Sequence, residues 1–377
     1  MLVELERTDY KKTTDPFSDL EYNLSISSVI NLLQPGLIFA DNLDKPNCAF
    51  AITPEGMYFS GKPDITQFDT TMNRYLKNDY FVKAVSKELV DYVLFYPSES
   101  FEDSITTIFN GLYPRKLKRY YYCLNPQNYS CDEVINNVRL FDKDTFQNSS
   151  FENSNEIQCL LEKNWGSLDN FFNHGFGYYY PIANNIVSWC IADCVVGDKC
   201  EIGVETLEDY RRQGFSMAAI KATILLCKNR NIRNIGWHCW NDNVASVTIA
   251  EKAGFKRERE ITVYSGWYDE LPNCLINGNH YLKYDKNYSK SAFFYSLALD
   301  KNFGWNWHYF NAACVNWKLG KVETAKKYYA KALEMEWEGF QNENNCEYSA
   351  YLYNEDDVND IEQKLINIAS LSSSITS

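Results

Sequence analysis

The sequence has few histidines and no CxxC pair of cysteines. Its 377 residues include four histidines and twelve cysteines, and none of those cysteines forms a CxxC motif. A zinc site of the usual kind needs four such ligands, commonly in close pairs. The sequence therefore predicts no metal site and no disulfides, and the cysteines are interpreted as reduced residues of the core.

An excess of basic residues is also lacking. Aspartate and glutamate number 50 against 37 lysines and arginines, which gives a net charge of -13. Phosphate backbones attract basic surfaces, so a nucleic-acid partner is excluded. The acidic charge favours a cationic small substrate, or else it only keeps the protein in solution. No run of eighteen apolar residues and no apolar N-terminal stretch occurs, so we expect no membrane segment and a cytoplasmic protein.

The length and the pattern of apolar residues predict an α/β protein in three sections. A chain of this length usually forms two or three domains. Residues 1–125 are predicted to be mixed α/β, residues 126–286 to be a second α/β domain, and residues 287–377 to be helical. The first section contains predicted strands, a helix and a further strand, at Gly36–Ala40, Cys48–Thr53, Met72–Leu89 and from Val90 onward.

The second section has a strand and helix order typical of one α/β unit. A polar loop at Phe146–Asn155 precedes an amphipathic helix with apolar residues from Ile157 to Leu168. A hairpin, a helix, a strand and a second helix follow, at Ile186–Val196 with Cys200–Leu207, Gly214–Asn229, IGWHCW and Asn243–Lys252. This order predicts that the second strand of the hairpin is central in the sheet.

The third section contains one segment that resembles a tetratricopeptide repeat, WHYFNAACVNWKLGKVETAKKYYAKALEM. A stable solenoid needs about three repeats. A helical cap on the rest of the protein is therefore favoured over a peptide-binding array, with contact to a protein partner as the alternative.

The segment that decides the function is EIGVETLEDYRRQGFSMAAIKATILLCKNR. A predicted strand ends at Thr206, and Arg211 to Ser216 open a helix after a short loop. The free N–H groups and the dipole at a helix N-terminus attract anions, and Gly214 permits close approach of a pyrophosphate. A glycine near a helix start is also common as a simple turn residue.

The same segment resembles the GNAT acetyltransferases and their Q/R-x-x-G-x-G/A loop. Arg211 takes the first position and Gly214 the central one, whereas Ser216 stands where the family usually has Gly or Ala. The downstream block IGWHCWNDNVASVTIAEKAGFKRE also resembles the family, through Asn243 with Ser246 and the closing Gly-Phe. From about Gly36 to Tyr264 the chain is similar to a Bacillus-type subset that includes the zwittermicin A resistance acetyltransferase. That likeness implies that the N-terminal section is a degenerate half of the same kind, which holds no cofactor.

The resemblance implies a GNAT-type mixed sheet with helices on both faces and acetyl-CoA as co-substrate, without a metal. The residues that it places at the cofactor are Val204, Arg211, Arg212, Gln213, Gly214, Phe215, Ser216, Asn243 and Ser246. In the family the Asn243 side chain faces the pantetheine arm, although an N-cap role explains it equally well. A backbone N–H near Val204 would meet the oxyanion.

Attack by an amine also needs a group that removes a proton, because an alkyl ammonium has a pKa of about 10. Glu201 and Glu205 are the candidate bases, on one face of a predicted strand. Surface glutamates in such a pattern are usually only solvated. Tyr264 is an optional acid for the leaving thiolate, and it and His238 are also typical of core or rim positions.

Three hypotheses for the function follow from these residues. The first is an N-acetyltransferase for a small cationic amine, with an aminopolyol antibiotic such as zwittermicin A as the expected substrate. The second is an acetyltransferase for a protein, a peptide or a polyamine. The third is a non-catalytic scaffold that binds acyl-CoA.

Overall fold

The computed structural model describes residues 2–62, 66–130, 136–147, 151–338 and 362–366. Over these residues the strands are β1 Val3–Glu4, β2 Leu37–Ala40, β3 Cys48–Ile52, β4 Met57–Gly61, β5 Asp91–Phe95, β6 Arg115–Leu124, β7 Arg139–Leu140, β8 Gly177–Ile182, β9 Asn185–Val196, β10 Lys199–Thr206, β11 Asn234–Trp240 and β12 Lys256–Trp267. The helices are α1 Leu24–Ile30, α2 Thr66–Tyr75, α3 Phe81–Ser86, α4 Glu102–Ile108, α5 Lys143–Gln147, α6 Ser154–Trp165, α7 Leu168–His174, α8 Phe215–Asn229, α9 Val244–Lys252, α10 Glu270–Lys283, α11 Tyr288–Leu299, α12 Asn306–Lys318 and α13 Val322–Glu334.

The described strands form one mixed sheet, and its order is symmetric about the middle. That order is β1-β2-β3-β4-β5-β12-β6-β11-β10-β9-β8-β7. On each side three antiparallel pairs are followed by one parallel pair, β4 with β5 and β10 with β11. The α/β class is therefore confirmed, and the repeated order agrees with two halves of similar topology.

The two central strands come from the opposite halves of the chain. β12 lies beside β5, and β6 lies between β12 and β11. The strands of the N-terminal half are therefore extended by β12 from the second half, and the strands of the second half are extended by β6 from the first. Both halves build one continuous sheet, so the predicted domain boundary between residues 125 and 126 stays a prediction.

Residue contacts divide the chain into two compact units, whose limits differ from those of the three predicted sections. The sheet unit comprises residues 1–76, 92–110 and 116–265, and the helical unit comprises residues 77–91, 111–115 and 266–377. In the helical unit α12 packs on α13 through Phe310 and Tyr329, and a turn at Gly320 with φ of 72° joins them. The likeness of this hairpin to a tetratricopeptide repeat stays a prediction.

Several predicted elements need local corrections. The amphipathic helix predicted after residue 155 is two helices, α6 and α7, because Gly166 adopts a left-handed φ of 80° and Ser167 caps the next helix. The loop predicted at Phe146–Asn155 is bounded by α5 and α6, and residues 148–150 of it lie outside the described residues. The helix predicted at Met72–Leu89 is interrupted by a π-helical turn at Leu76–Tyr80.

The structure also bears on the cysteines, on possible metal ligands and on possible membrane helices. The ten cysteines within the described ranges are free thiols. Over the same ranges, no group of three or more His, Cys, Asp or Glu side chains is placed to hold a metal ion. Of the described helices, none has the length and apolar character that crossing a membrane requires.

Candidate active site

The two parallel strands β10 and β11 separate halfway along their length. They pair at three positions, the last of which joins Glu201 to Gly236. Beyond that point β10 continues to pair with β9, whereas β11 continues to pair with β6. Two strand edges therefore diverge inside the sheet, and they expose backbone that is elsewhere paired.

A cavity of about 310 Å³ opens where the strands separate. It lies within the sheet unit. Its described lining residues are Ser25, Gln34, Pro54, Glu55, Arg119, Asn164, Asp193, Cys194, Glu201, Ile202, Gly203, Val204, Trp237, His238 and Ser246. The first five belong to the N-terminal half, residues 1–125, so that half supplies one wall of the cavity. Three carboxylates and one guanidinium make the lining strongly polar.

Glu201 lines the cavity and contacts residues of α1, β9 and β11. It is 5% exposed, and its Oε1 accepts a hydrogen bond of 2.8 Å from the backbone N–H of Leu24 at the start of α1. The same oxygen lies 3.3 Å from Nε2 of His238, and the Cys194 thiol donates to Oε2 at 3.5 Å. The imidazole of His238 rests on the ring of Tyr121, with centroids 4.6 Å apart. Its Nδ1 is buried without a hydrogen-bond partner among the described residues.

Glu55 and Arg119 also line the cavity and lie close together. The Tyr58 hydroxyl lies 2.8 Å from Oε2 of Glu55, and the Arg119 guanidinium lies 3.7 Å from Oε1. Burial by itself would raise the pKa of Glu55, but the positive charges of His238 and Arg119 outweigh it and lower that pKa below its ordinary value. Glu55 is therefore ionised at neutral pH.

Asp193 lies on a β-bulge between these two carboxylates. Cys194 pairs with Glu201 and Ala192 pairs with Ile202, so Asp193 has no partner in the ladder. The Asn164 amide donates to its Oδ1 at 3.3 Å. Burial, assisted by the charges of Glu55 and Glu201, raises the pKa of Asp193 to about 8. It therefore holds a proton over much of the neutral range.

The predicted phosphate loop leads from the end of β10 to α8. Arg212 and Gly214 both have left-handed backbones, with φ of 63° and 89°. Residues 211–214 are exposed, Arg211 Nε donates to the Thr206 carbonyl at 3.3 Å, and Gln213 Nε2 donates to the Asp209 carbonyl at 3.2 Å. No side chain caps α8, so the N–H groups of its first turn, which includes Phe215 and Ser216, point toward the loop without helical partners.

Asn243 and Ser246 lie at the start of α9. Asn243 Oδ1 accepts from the Ser246 N–H at 3.0 Å, which is the N-cap role that the sequence left open. The Ser246 hydroxyl accepts from Nε1 of Trp237 at 3.0 Å, and Ser246 lines the cavity. Val204 also lines it, on β10 beyond the last position at which β10 pairs with β11.

Two of the predicted catalytic residues lie away from the cavity. Glu205 is exposed near the end of β10 and is not among the lining residues. Tyr264, on β12, packs on the ring of Tyr96 with centroids 5.5 Å apart, and it does not line the cavity either. Of the three predicted catalytic side chains, the structure places Glu201 there.

Six polar residues of the cavity were not predicted from the sequence, namely Ser25, Gln34, Glu55, Arg119, Asn164 and Asp193, and His238 was interpreted as a core or rim residue. Asp193 offered a signal, because a carboxylate in the middle of the apolar run IVSWCIADCVV is unusual unless it serves a site. The others come from separate strands and turns. Their convergence depends on sheet order, which local patterns do not encode.

The chain is similar to several known proteins. The model of the GNAT acetyltransferase family matches residues 15–264. The uncharacterized N-acetyltransferase YdfB of Bacillus subtilis strain 168 is 25% identical over 268 residues, which cover 70% of this chain and 98% of that protein. A GCN5-related N-acetyltransferase-like protein from Streptococcus suis 89/1591 aligns with a TM-score of 0.51 at 18% identity, over 70% of this chain and 100% of that one. A GCN5-related N-acetyltransferase from Sphaerobacter thermophilus aligns with a TM-score of 0.46 at 9% identity, over 71% of this chain and 95% of that one.

Proposed function

Since this chain belongs to the GNAT acetyltransferase family, we propose that it transfers the acetyl group of acetyl-CoA to a primary amine of a small cationic molecule. The observation that carries the substrate class is the set of carboxylates in the cavity. Glu55, Asp193 and Glu201 share the cavity with the guanidinium of Arg119 and the imidazole of His238, and Asp193 adds a negative charge when it releases its proton. An ammonium group is the natural counterpart of such a lining, and the net charge of -13 draws cations toward it.

The start of α8 fits the pyrophosphate of acetyl-CoA. A Cβ built on Gly214 would meet no atom within 4 Å, so the space next to this backbone is open, and φ of 89° favours glycine there. Arg211 and Arg212 are exposed beside the unpaired N–H groups of the helix. In this proposal those groups hold the phosphates, Asn243 and Ser246 lie beside the pantetheine arm, and the Val204 N–H donates a hydrogen bond to the thioester oxygen. Acetyl-CoA supplies the acetyl group as an activated thioester.

The chain must also remove a proton from the incoming amine. An alkyl ammonium with a pKa of about 10 carries its proton at pH 7, and only the free amine attacks a thioester. Of the two glutamates predicted as bases, Glu201 lies at the cavity and Glu205 lies on an exposed strand end. A carboxylate of the cavity wall is therefore the proposed acceptor.

The release of free CoA tests the proposal and separates the three functional classes. Purified protein is given acetyl-CoA with hydroxylated primary amines, polyamines or peptides that have a free N-terminus, and the thiol that appears is measured. Turnover with small amines supports the proposal, and turnover with peptides alone favours a protein acetyltransferase. Binding of acetyl-CoA without turnover on any amine would leave a non-catalytic scaffold.

Within this class we propose an aminopolyol antibiotic such as zwittermicin A as the substrate. Besides the carboxylates, the cavity offers the Ser25 hydroxyl and the Asn164 amide, which suit hydroxyl groups next to an amine. Acetylation removes the positive charge and the three donors of an ammonium, and so abolishes its contacts to an anionic target. A sensitive host that expresses the gene is expected to grow in the drug and to yield drug with the mass of one added acetyl group. A protein that acetylates polyamines but gives no protection would favour the rival substrate.

We expect one acetyl-CoA to bind per chain. The N-terminal half has the same strand order as the second half, but its loop after β4 reads Lys-Pro-Asp-Ile and contains no glycine before α2. Because a phosphate loop like the one proposed before α8 needs such a glycine, we propose no second phosphate site in this half. Isothermal titration should give a stoichiometry of one, and two equivalents per chain would show that the N-terminal half binds as well.

A further inference from the structure

Asp193 is presented to the cavity by a special backbone arrangement. The β-bulge removes it from the ladder between β9 and β10, and bulges of this kind commonly re-aim a side chain at an active site. Gly203 lies directly beneath the carboxylate, because a Cβ built on Gly203 would lie 2.5 Å from Oδ2 of Asp193. Glycine at position 203 thus leaves the space that the carboxylate occupies, next to the strand edge of Val204.

Gln34 provides a second oxygen beside Asp193. This side chain is 3% exposed, and its Nε2 donates to the backbone carbonyls of Asn164 at 2.8 Å and of Asp193 at 2.6 Å. Both donors of its amide are therefore used, and its orientation is fixed. Its Oε1 is buried at the cavity without a donor among the described residues. A buried acceptor that has lost water is costly unless a ligand supplies a donor.

The other carboxylates of the cavity are already engaged. Glu201 accepts from the backbone of Leu24 and faces His238, and Glu55 is held by Tyr58 and Arg119. Asp193 faces both of them and has the neutral amide of Asn164 as its side-chain partner. Its raised pKa, about 8, lies closer to that of an alkyl ammonium than an ordinary aspartate's does. Proton transfer between the two groups therefore has a smaller penalty.

We propose that Asp193 is the group that accepts the proton of the acceptor amine, while Oε1 of Gln34 accepts a second N–H and orients the nitrogen. This inference rests on the proposed function and replaces Glu201 with Asp193 as the base. The reaction starts from the ionised form of Asp193, which the charge of a bound ammonium favours and which grows as the pH rises through the Asp193 pKa of about 8. The ammonium gives one proton to this carboxylate and becomes the free amine. The nitrogen lone pair forms the bond to the acetyl carbon, the carbon–sulfur bond breaks, and the departing sulfur takes a second proton from nitrogen. Asp193 then releases its proton to solvent.

The pH dependence of kcat/KM tests the role of Asp193, with 2-amino-1,3-propanediol as the amine. Asp193→Asn is expected to lower kcat/KM at pH 7 by at least about 100-fold. The loss should shrink toward pH 10, where the free amine is abundant without a base. Asp198→Asn is the matched control. Asp198 lies in the turn of the same hairpin and forms an exposed ion pair with Arg233, so this variant should keep the wild-type profile. Gly203→Ala should also reduce turnover, because its Cβ displaces the intact carboxylate.

Glu201→Gln tests the alternative base. If this variant shows the loss of kcat/KM at pH 7 that shrinks toward pH 10, and Asp193→Asn keeps the wild-type profile, Glu201 is the base and the inference is wrong. A second measurement does not depend on turnover. In protein labelled with ¹³C at aspartate carboxyl groups, the resonance that is lost in Asp193→Asn should titrate near pH 8, and the protonated amine should lower that midpoint.

The two proposals can fail separately. A wild-type protein that acetylates none of the tested amines contradicts the proposed function, and the carboxyl titration then decides the inference alone. A midpoint near the ordinary aspartate value of about 4 would overturn it.

Discussion

Replacing Gly214 with glutamate is expected to weaken acetyl-CoA binding by more than about tenfold while the fold stays intact. The new side chain points into open space, since nothing lies within 4 Å of a Cβ at this position, so no neighbour must move. A carboxylate near a helix N-terminus is tolerated, and the left-handed backbone adds only about 1 kcal/mol of strain. The same carboxylate occupies and repels the place proposed for the pyrophosphate. Isothermal titration with acetyl-CoA measures the loss.

Gly197→Glu is the matched control for that variant. Gly197 also has a left-handed backbone, with φ of 59°, and also faces open space, but it lies in the turn between β9 and β10 rather than at a helix start. It introduces the same charge and a similar strain. Equal affinities of wild type, Gly197→Glu and Gly214→Glu would show that the phosphates bind elsewhere, and equal losses in both variants would point to a general effect of charge.

The elements from β9 to α9 follow closely from the sequence. The hairpin, α8, β11 and α9 are all found within a few residues of their predicted limits. Each is encoded locally, by a Gly-Asp turn between apolar runs, by helical spacing, or by a cap such as Asn243. The glycines that end or begin these helices, Gly214 and Gly254, both have the left-handed φ that makes glycine preferable.

The centre of the sheet could not be predicted in the same way. β6 and β12 each pair with strands from the other half of the chain, and no local pattern indicates such partners. The cavity follows from that arrangement, because Arg119 reaches it from β6 and Glu55 reaches it from the turn before β4. Asp193 and His238 were visible in the sequence as polar residues within strands, but their neighbours were not.

The N-terminal half also contributes to the cavity, although no phosphate loop is proposed in it. It contributes Ser25, Gln34 and Glu55 to the wall of the cavity, and the backbone of Leu24 anchors Glu201. We therefore propose that the N-terminal half determines much of the shape and charge that an acceptor meets. If the loop before α8 binds acetyl-CoA as proposed, changes of substrate among related chains are expected in these turns and in α1 rather than in that loop.

The bond between Leu24 and Glu201 leads to the second large effect, on stability. Glu201→Ala is expected to lower the free energy of unfolding by about 3 kcal/mol, because the N–H of Leu24 and Nε2 of His238 are left buried without an acceptor. Glu201→Gln keeps an oxygen for Leu24 and should cost only about 1 kcal/mol. Glu205→Ala, on the exposed end of the same strand, should change stability by less than about 0.5 kcal/mol. Urea unfolding of the sheet unit, followed by tryptophan fluorescence, gives all three values. If Glu201→Ala proves as stable as Glu205→Ala, the carboxylate does not join the two halves of the sheet.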